Sequence, residues 1–271
     1  MTHARMLGAA HSCANVRPLR SPPSTMPLPL HVISLERSQE RRKSFLAANA
    51  HLDFQIFPAV DGSRLPQTVL QDRELFIPPL PFPTLGAYGV ALSHLRLWER
   101  AIDTGSALTV AEDDAVFRQD FASASEEVLG LLPEDWDFVL WGWNFDSILS
   151  LMGLPDVSPS VMVFNQDALR ANLARYKSQT TRAYPLRLDK CFGIPAYSIS
   201  PKGARRFKEH CFPLRNFSLV FPLLAHPMAN TGIDIAMNQI YSSTQSFVSF
   251  PPLAVTENRH DISTIQVAGK V

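Results

Sequence analysis

The sequence lacks the features of a membrane-spanning or disulfide-bonded protein. It has no run of the roughly 18 uninterrupted apolar residues that a membrane-spanning helix needs. Its three cysteines, Cys13, Cys191 and Cys211, include no Cys-x-x-Cys pair, so neither a disulfide framework nor a zinc site is indicated. We therefore expect a cytoplasmic protein in a reducing compartment, with at most a peripheral contact at the inner face of a membrane.

The sequence also lacks net charge. Its 25 basic side chains balance 25 acidic ones, and the isoelectric point is near 7.1. A protein that binds nucleic acid through a broad cationic surface needs an excess of Lys and Arg. We therefore expect no nucleic-acid partner, although a local cationic pocket remains compatible with this balance.

Glycine is scarce, with 12 residues, whereas proline is abundant, with 22. Proline is thus about 8% of the chain, against a usual ~5%. Residues 1–29 hold five of the prolines and three arginines, with no acid and no apolar periodicity. We expect this segment to be a disordered leader. A transit peptide and a translation start at Met26 are the alternatives. Residues 30–271 show no repeat or linker, which predicts one domain.

The body of the sequence alternates between strand and helix patterns. Short apolar runs predict strands at 30–35, 54–60, 107–111, 137–141, 194–199 and 247–250. Helices are predicted after Ser38, through 121–131, after Ser200-Pro201 and at 234–241. A further helix carries Ala91, Leu95, Trp98 and Ile102 at three- and four-residue spacing and ends at Gly105. This alternation predicts an α/β fold, with a mainly parallel sheet covered by helices on both faces.

Three adjacent carboxylates, Glu112, Asp113 and Asp114, directly follow the 107–111 strand. Ligands of open α/β sheets bind outside the carboxyl ends of strands, where these residues fall. If strand geometry continues, Glu112 and Asp114 point the same way and offer hard oxygen ligands for Mg²⁺ or Mn²⁺, with a nucleotide diphosphate as anionic co-ligand. The alternative is a solvated acidic turn that caps the next segment.

Basic residues follow the first strand, at the other position where such a sheet binds anions. They are Arg37, Arg41, Arg42 and Lys43. Guanidinium groups and helix N–H groups both favour phosphate. Basic runs on helices are often no more than a solvated face, and we expect that of at least two of these four.

The helix that ends at Gly105 and the aromatic residues offer weaker signals. Ser93 and His94 suggest a nucleophile and base, but neighbours on a helix point in different directions, so a structural His94 is favoured. The apolar stripe places Trp98 in the core. Burial is also the more frequent fate of the aromatic side chains that could stack on a sugar or base, which are Tyr88, Trp141 and Trp143.

Several of these segments together resemble glycosyltransferase family 25, the lipopolysaccharide-biosynthesis and collagen galactosyltransferase group. The resemblance extends from His31 to about Ile265. It rests on ordered blocks: Val32 to Ser38 with Arg41-Arg42, Pro58 to Gly62, Gly89 to His94 with Trp98, Glu112 to Phe117, Ala196 to Ser200 with Gly203-Ala204, Ile233-Asp234, and Pro251 to Leu253 with Ser263 and Ile265.

The resemblance implies a single GT-A-like domain over residues 30–271. It also implies inverting transfer of a hexose, galactose or glucose, from a UDP-sugar to a hydroxyl of a glycan, lipid-linked oligosaccharide or lipopolysaccharide-type acceptor. Mn²⁺ or Mg²⁺ would be held by Glu112 and Asp114. Donor-binding residues would be Arg37, Arg41, Ser93, His94 and Asp113.

The catalytic base implied by the resemblance is a carboxylate, since it must take the acceptor proton. Asp234 is the candidate, with Asp189 as its competitor. Either residue is also a possible metal ligand, and Asp234 alternatively caps a late helix.

The segment 142–190, which has no clear pattern apart from an apolar run at 161–164, is interpreted as an acceptor-facing insertion.

The sequence departs from the family pattern at three positions. Ser34, Ala87 and Val90 stand where the family usually has Asn, an acid and Cys. The missing acid at Ala87 favours the alternative of a catalytically silent member that binds a nucleotide or a partner without transfer. A nucleotidyltransferase is ranked well below, because the sequence has no glycine-rich, lysine-bearing phosphate loop near its first strand.

Overall fold

A computed structural model describes residues 27–258. The leader expected at 1–29 therefore lies mostly outside the described residues. Cys13, Met26 and the last residues of the family resemblance, Ser263 and Ile265, also lie outside them.

Strands and helices both occur along the whole described chain, but several strands follow one another directly, which departs from the predicted alternation. The strands are β1 (Leu30–Ser34), β2 (Gln55–Pro58), β3 (Phe76–Ile77), β4 (Leu108–Glu112), β5 (Ala115–Phe117), β6 (Phe138–Gly142), β7 (Ile148–Leu154), β8 (Ser158–Val163), β9 (Tyr184–Cys191), β10 (Ala196–Ile199), β11 (Leu214–Arg215), β12 (Ser218–Leu219), β13 (Met228–Ala229), β14 (Ser246–Phe250) and β15 (Ala254–Thr256). The helices are α1 (Gln39–Ala48), α2 (Gln67–Leu70), α3 (Leu85–Thr104), α4 (Phe121–Gly130), α5 (Gln166–Ala171), α6 (Leu173–Lys177), α7 (Pro201–Cys211) and α8 (Ile233–Met237), with 3-10 turns at Gly62–Arg64 and Tyr241–Ser243.

Nine strands form one sheet in the order β2-β1-β4-β10-β6-β14-β9-β7-β8. Strand β1 pairs parallel with β2 and β4, and β14 pairs parallel with β6. The other neighbours in this sheet are antiparallel. The α/β prediction is confirmed, but the prediction of a mainly parallel sheet was wrong. The sheet is mixed because β10 enters antiparallel between β4 and β6, and because β9, β7 and β8 extend one side as antiparallel strands.

The segment 142–190, whose pattern the sequence left unclear, contributes that antiparallel extension. Strands β7 and β8 form a hairpin, and β9 pairs with β7 and β14. Strand β8 is largely exposed and contains Pro159, so its apolar residues at 161–163 form too short a run to mark it as a strand. Much of this region is therefore part of the sheet rather than an insertion outside it.

Helices cover both faces of the sheet. Val32 and Ile33 of β1 point to opposite faces and belong to separate apolar clusters. Phe45 of α1 and Phe121 of α4 pack in the cluster with Val32. Trp98 of α3 and Phe207 of α7 pack in the cluster with Ile33. This double cover confirms the layer arrangement that the sequence predicts.

Helix α3 is the predicted amphipathic helix. Ala91, Leu95 and Trp98 are buried, and Gly105 ends the helix with a φ of 63°, in the left-handed region that glycine adopts easily. Its first turns press against the turn that follows β2. The Cα hydrogen of Gly89 faces the backbone there: a Cβ at this position would lie 2.4 Å from the Val60 carbonyl oxygen. This close crossing places the start of α3 beside the end of β1.

The aromatic side chains lie where the sequence favoured them. Trp98, Trp141 and Trp143 are fully buried, and Tyr88 packs edge-on against Phe76.

Among the described residues, no helix combines the length and apolar character needed to cross a bilayer.

Candidate active site

A cavity of about 680 Å³ lies at the carboxyl ends of β1 and β4. Its walls come from α1, the 62–64 turn, the start of α3, the turn between β4 and β5, and residues 257–258. Parallel strands β1 and β4 end side by side, so their last residues and the following turns open into one space. The acidic and basic segments of the sequence meet here.

The acidic segment forms the turn between β4 and β5. Asp113 is buried, with Ser34 Oγ donating to its Oδ2 at 2.8 Å and Arg41 Nη2 at 2.5 Å from its Oδ1. The same Arg41 nitrogen is 3.6 Å from Asp114 Oδ2. The turn is thus not a solvated acidic turn, because one arginine balances two of its carboxylates inside the cavity.

Three buried polar atoms at this cavity have no hydrogen-bond partner among the described residues. They are Arg41 Nε, His94 Nε2 and Asp114 Oδ1. Buried polar groups in folded proteins are nearly always hydrogen-bonded, so each exception needs an explanation. Two nitrogens and a carboxylate oxygen left unsatisfied around one space indicate a site that a polar ligand would complete.

Two carboxylates of this cluster, those of Glu112 and Asp114, have raised pKa values. Burial raises the pKa of Glu112 to about 7, with the charges of Asp234 and Asp113 adding to the effect and Arg41 opposing it. Burial also raises the pKa of Asp114 to about 7, and the charge of Glu112 adds to it. A cation beside the two groups would remove both the desolvation and the repulsion.

This donor set fits a hard divalent cation, since carboxylate oxygens are the ligands that Mg²⁺ and Mn²⁺ prefer. Among residues 27–258, no group of three or more His, Cys, Asp or Glu side chains is arranged to hold a metal ion. A metal at Glu112 and Asp114 would therefore need further oxygen ligands from outside this set.

The raised pKa values predict a pH-dependent stability. The folded protein binds more protons at Glu112 and Asp114 than the unfolded chain, whose carboxyl groups titrate near 4. Their stabilising contribution is therefore complete below about pH 4 and is lost as the pH rises through about 7. Thermal melts in chelator between about pH 5 and about pH 8 should show Asp114→Asn losing less stability than the wild type. Asp103→Asn, at an exposed carboxylate of α3, is the control; curves of wild type and Asp114→Asn that run parallel would contradict the assignment.

His94 and Ser93 lie on the cavity wall, and their polar groups are largely engaged by other residues of the protein. His94 is fully buried, its Nδ1 is 2.8 Å from Tyr197 Oη, and its Nε2 is 3.5 Å from Glu112 Oε1. Burial lowers the pKa of His94 to about 4, so its ring is neutral at neutral pH. Ser93 Oγ donates to the Gly89 carbonyl at 2.7 Å and accepts from Val60 N–H at 2.8 Å. Ser93 thus ties α3 to the end of β2.

The basic segment divides into cavity and surface residues. Arg41 reaches the acidic cluster, and Arg37 lies at the cavity with its guanidinium paired to Asp61. Arg42 donates instead to the Leu35 carbonyl at 3.2 Å, and Lys43 pairs with a glutamate on the exposed face of α1. Two of the four basic residues therefore line the cavity, and two do not.

The two candidate bases lie in different surroundings. Asp234, near the start of α8, accepts the Gly193 N–H at 3.2 Å, and Gly232 rather than Asp234 occupies the N-cap position. Burial raises the pKa of Asp234, and its charge acts on Glu112 and His94. Asp234 does not line the cavity, but it belongs electrostatically to the acidic cluster.

Asp189 lies on β9, where Ser150 Oγ donates to its Oδ2 at 2.7 Å and Lys190 Nζ is 3.5 Å from its Oδ1. It does not line the cavity either. The structure therefore brings Asp234, but not Asp189, into the electrostatic environment of Glu112.

Two residues that sequence reasoning left without a role belong to this site. Ser34 holds Asp113, and Tyr197 holds His94. Both stand in blocks that carry the family resemblance, which was the available signal. Of the departures from the family pattern, Val90 lines the cavity, whereas Ala87 is buried at 2% exposure and does not line it.

The fold and this site define an α/β domain with carboxylates and arginines in a cavity at the ends of its strands. The family model described as "Glycosyltransferase family 25 (LPS biosynthesis protein)" matches residues 28–219. The chain therefore belongs to glycosyltransferase family 25, which confirms the resemblance seen in the sequence and supports a transferase enzyme.

Curated relatives agree with this membership. A "Glycosyltransferase 25 family member" of Anopheles gambiae is 33% identical over 125 residues, which cover 42% of this chain and 21% of the relative. One of Aedes aegypti is 32% identical over the same shares. The match thus spans about a fifth of these relatives. Among solved structures, "Crystal Structure of A197 from STIV" is 14% identical with a TM-score of 0.36, over 82% of this chain and 81% of the other.

Proposed function

We propose that this chain is an inverting, metal-dependent glycosyltransferase of GT-A type. It transfers a hexose, galactose or glucose, from a UDP-sugar to a hydroxyl of a glycan, lipid-linked oligosaccharide or lipopolysaccharide-type acceptor. We place it in the cytoplasm with at most peripheral contact at the inner face of the membrane, which cell fractionation would check.

One observation carries the proposal: a cationic and an anionic group, each with an unsatisfied buried atom, lie side by side at one cavity. Arg41 Nε and Asp114 Oδ1 are buried there without partners among the described residues. An anionic acceptor would satisfy Arg41 Nε and a cation would satisfy Asp114 Oδ1, so a ligand that brings both suits this site. A nucleotide diphosphate with its divalent metal has this composition, and the cavity of about 680 Å³ is in the size range of small-molecule sites.

Glu112 and Asp114 would hold the metal, which when bound neutralises charge on the departing diphosphate. Arg41 would add a guanidinium contact to the same phosphates. Arg37 is half exposed at the cavity and would exchange its pairing with Asp61 for a phosphate oxygen. Asp113, held by Ser34 and Arg41, would fix the arginine rather than bind the ligand directly.

Asp234 is the proposed general base. A base works best when its pKa lies near the operating pH, and burial moves the pKa of Asp234 upward from its usual 3.8. Backbone N–H groups of Gly193, Ile235 and Asp234 itself orient its carboxylate, which would take the acceptor hydroxyl proton. Asp189 is less suited, because Ser150 and Lys190 engage its two oxygens.

A thermal-shift screen tests the donor and the metal together. We expect UDP-sugars to raise the melting temperature only with Mn²⁺ or Mg²⁺ present, since the metal relieves the repulsion between Glu112 and Asp114. GDP- and CMP-sugars serve as matched ligands of similar charge. A metal-independent shift with CMP-sugars would overturn the donor assignment.

The alternative of a catalytically silent member rests on the missing family acid at Ala87. The alanine that replaces it is buried and does not line the cavity. A silent member would still show the thermal shift with UDP-sugar and metal but would release no UDP. Measuring UDP release in the same samples therefore separates binding from transfer.

A further inference from the structure

A chain of buried polar groups runs from the interior of α3 to the acidic cluster. Trp98 Nε1 donates to Tyr197 Oη at 2.9 Å, and Tyr197 Oη lies 2.8 Å from His94 Nδ1. On the far side of the ring, His94 Nε2 lies 3.5 Å from Glu112 Oε1. Trp98, Tyr197 and His94 are all fully buried. These groups exchange hydrogen bonds with one another in a space that excludes bulk water.

The donor inventory fixes the direction of this chain. An indole N–H can only donate, so Tyr197 Oη accepts from Trp98. The tyrosine hydroxyl then has one proton to donate, and the only acceptor placed at hydrogen-bond distance among the described residues is His94 Nδ1. A neutral histidine whose Nδ1 accepts must carry its proton on Nε2.

We propose that Tyr197 is a positioning residue that holds His94 as the Nε2–H tautomer and aims that N–H at the Glu112 carboxylate. Because the Trp98 N–H donates to the Tyr197 hydroxyl oxygen, the hydroxyl proton is directed toward His94. The proposed transfer reaction does not involve these hydrogen bonds, and neither Trp98 nor Tyr197 lines the cavity.

The geometry explains why His94 Nε2 is left without a partner. At 3.5 Å the contact to Glu112 is longer than a normal N–H···O hydrogen bond. A shift of a few tenths of an ångström in the carboxylate, as it turns to a cation, would complete the bond. Ligating carboxylates are commonly oriented by such outer hydrogen bonds, whose loss weakens metal affinity about 10- to 100-fold. His94 donates here without adding a charge that would repel the cation.

The second half of the inference rests on the proposed function, whereas the tautomer does not. The test therefore uses two readouts on Tyr197→Phe. The first is the ¹⁵N shifts of the His94 ring, measured on the metal-free protein. The second is the affinity for Mn²⁺ in the presence of UDP, followed by electron paramagnetic resonance.

Tyr241→Phe is the matched control. Both tyrosines are fully buried, and both rings pack on Phe138, with centroid distances of 5.0 Å for Tyr197 and 5.2 Å for Tyr241. Both variants thus lose one buried hydroxyl in the same part of the core, but only Tyr197→Phe removes the partner of His94.

We expect the wild type and Tyr241→Phe to show Nε2–H only. In Tyr197→Phe the two tautomers should mix, so the ¹⁵N chemical shifts of the two ring nitrogens should become more similar. The affinity for Mn²⁺ should fall about 10- to 100-fold. An Nδ1–H tautomer in the wild type, or identical ring shifts in the two variants, would overturn the inference. A changed tautomer with unchanged Mn²⁺ affinity would overturn its link to Glu112. Failure of the wild type to bind Mn²⁺ at all, with the tautomer as expected, would instead count against the proposed function.

Discussion

Replacing Asp114 with alanine is expected to lower UDP release from a UDP-hexose about 10²- to 10³-fold, the cost of removing one group that stabilises developing charge. Asp114 Oδ1 is buried without a partner among the described residues, and its other oxygen has only a 3.6 Å contact with Arg41. The side chain therefore contributes little to the stability of the fold. Its pKa is raised by burial, so the ionised carboxylate lowers the stability of the folded protein.

The variant should accordingly fold and melt at least as well as the wild type in chelator, while losing its response to Mn²⁺. Asp103→Ala, which removes an exposed carboxylate from the end of α3, is the control and should keep full activity. Metal-dependent UDP release that is equal in Asp114→Ala and the wild type would refute the assignment of the metal to this cluster.

Replacing Gly89 with alanine is expected to lower the free energy of unfolding by about 3 kcal/mol, the upper end of the usual cost of overpacking. The added Cβ would lie 2.4 Å from the Val60 carbonyl oxygen and 2.6 Å from the Gly62 nitrogen. These are backbone atoms, which cannot move aside as a flexible side chain does. Val60 and Gly62 also line the cavity. Displacing their backbone should therefore weaken ligand binding, and ligand-induced thermal shifts should become smaller.

Gly105→Ala in the same helix is the matched control. A Cβ at this position meets nothing within 4 Å, so only the left-handed backbone, with its φ of 63°, opposes the substitution. Its expected cost is about 1 kcal/mol. Denaturant titration of both variants gives the two values. Equal losses would show that the crossing of α3 over the turn is looser than the structure has it.

Much of the fold was predictable from local patterns. The stripe of Ala91, Leu95 and Trp98 predicted α3, and Gly105 predicted its end, because helix periodicity and the left-handed cap are encoded within a few residues. Ser200 and Pro201 likewise predicted the start of α7, where Ser200 Oγ accepts the Gly203 N–H. The strands of 142–190 were missed because β8 is exposed and interrupted by proline.

The candidate site was predictable in position but not in detail. The sequence placed Glu112 to Asp114 at the carboxyl end of a strand, and the cavity is there. It did not predict the hydrogen bond from Ser34 to Asp113, because Ser34 stands 79 residues earlier in the chain. Nor did it separate Asp234 from Asp189 as candidate base, since both are carboxylates in plausible surroundings and only their neighbours in space differ.

The sequence by itself determined the α/β class, the buried face of α3, the acidic turn after β4 and membership of the family. These features depend on periodicity, turn chemistry and ordered motifs, which act over short stretches of chain. Only the tertiary structure decided the mixed pairing of the sheet, the balance of Asp113 by Arg41 and the contact of Tyr197 with His94 across 103 residues. Such contacts depend on how distant elements pack, because burial and hydrogen bonding act between neighbours in space, whatever their distance in sequence.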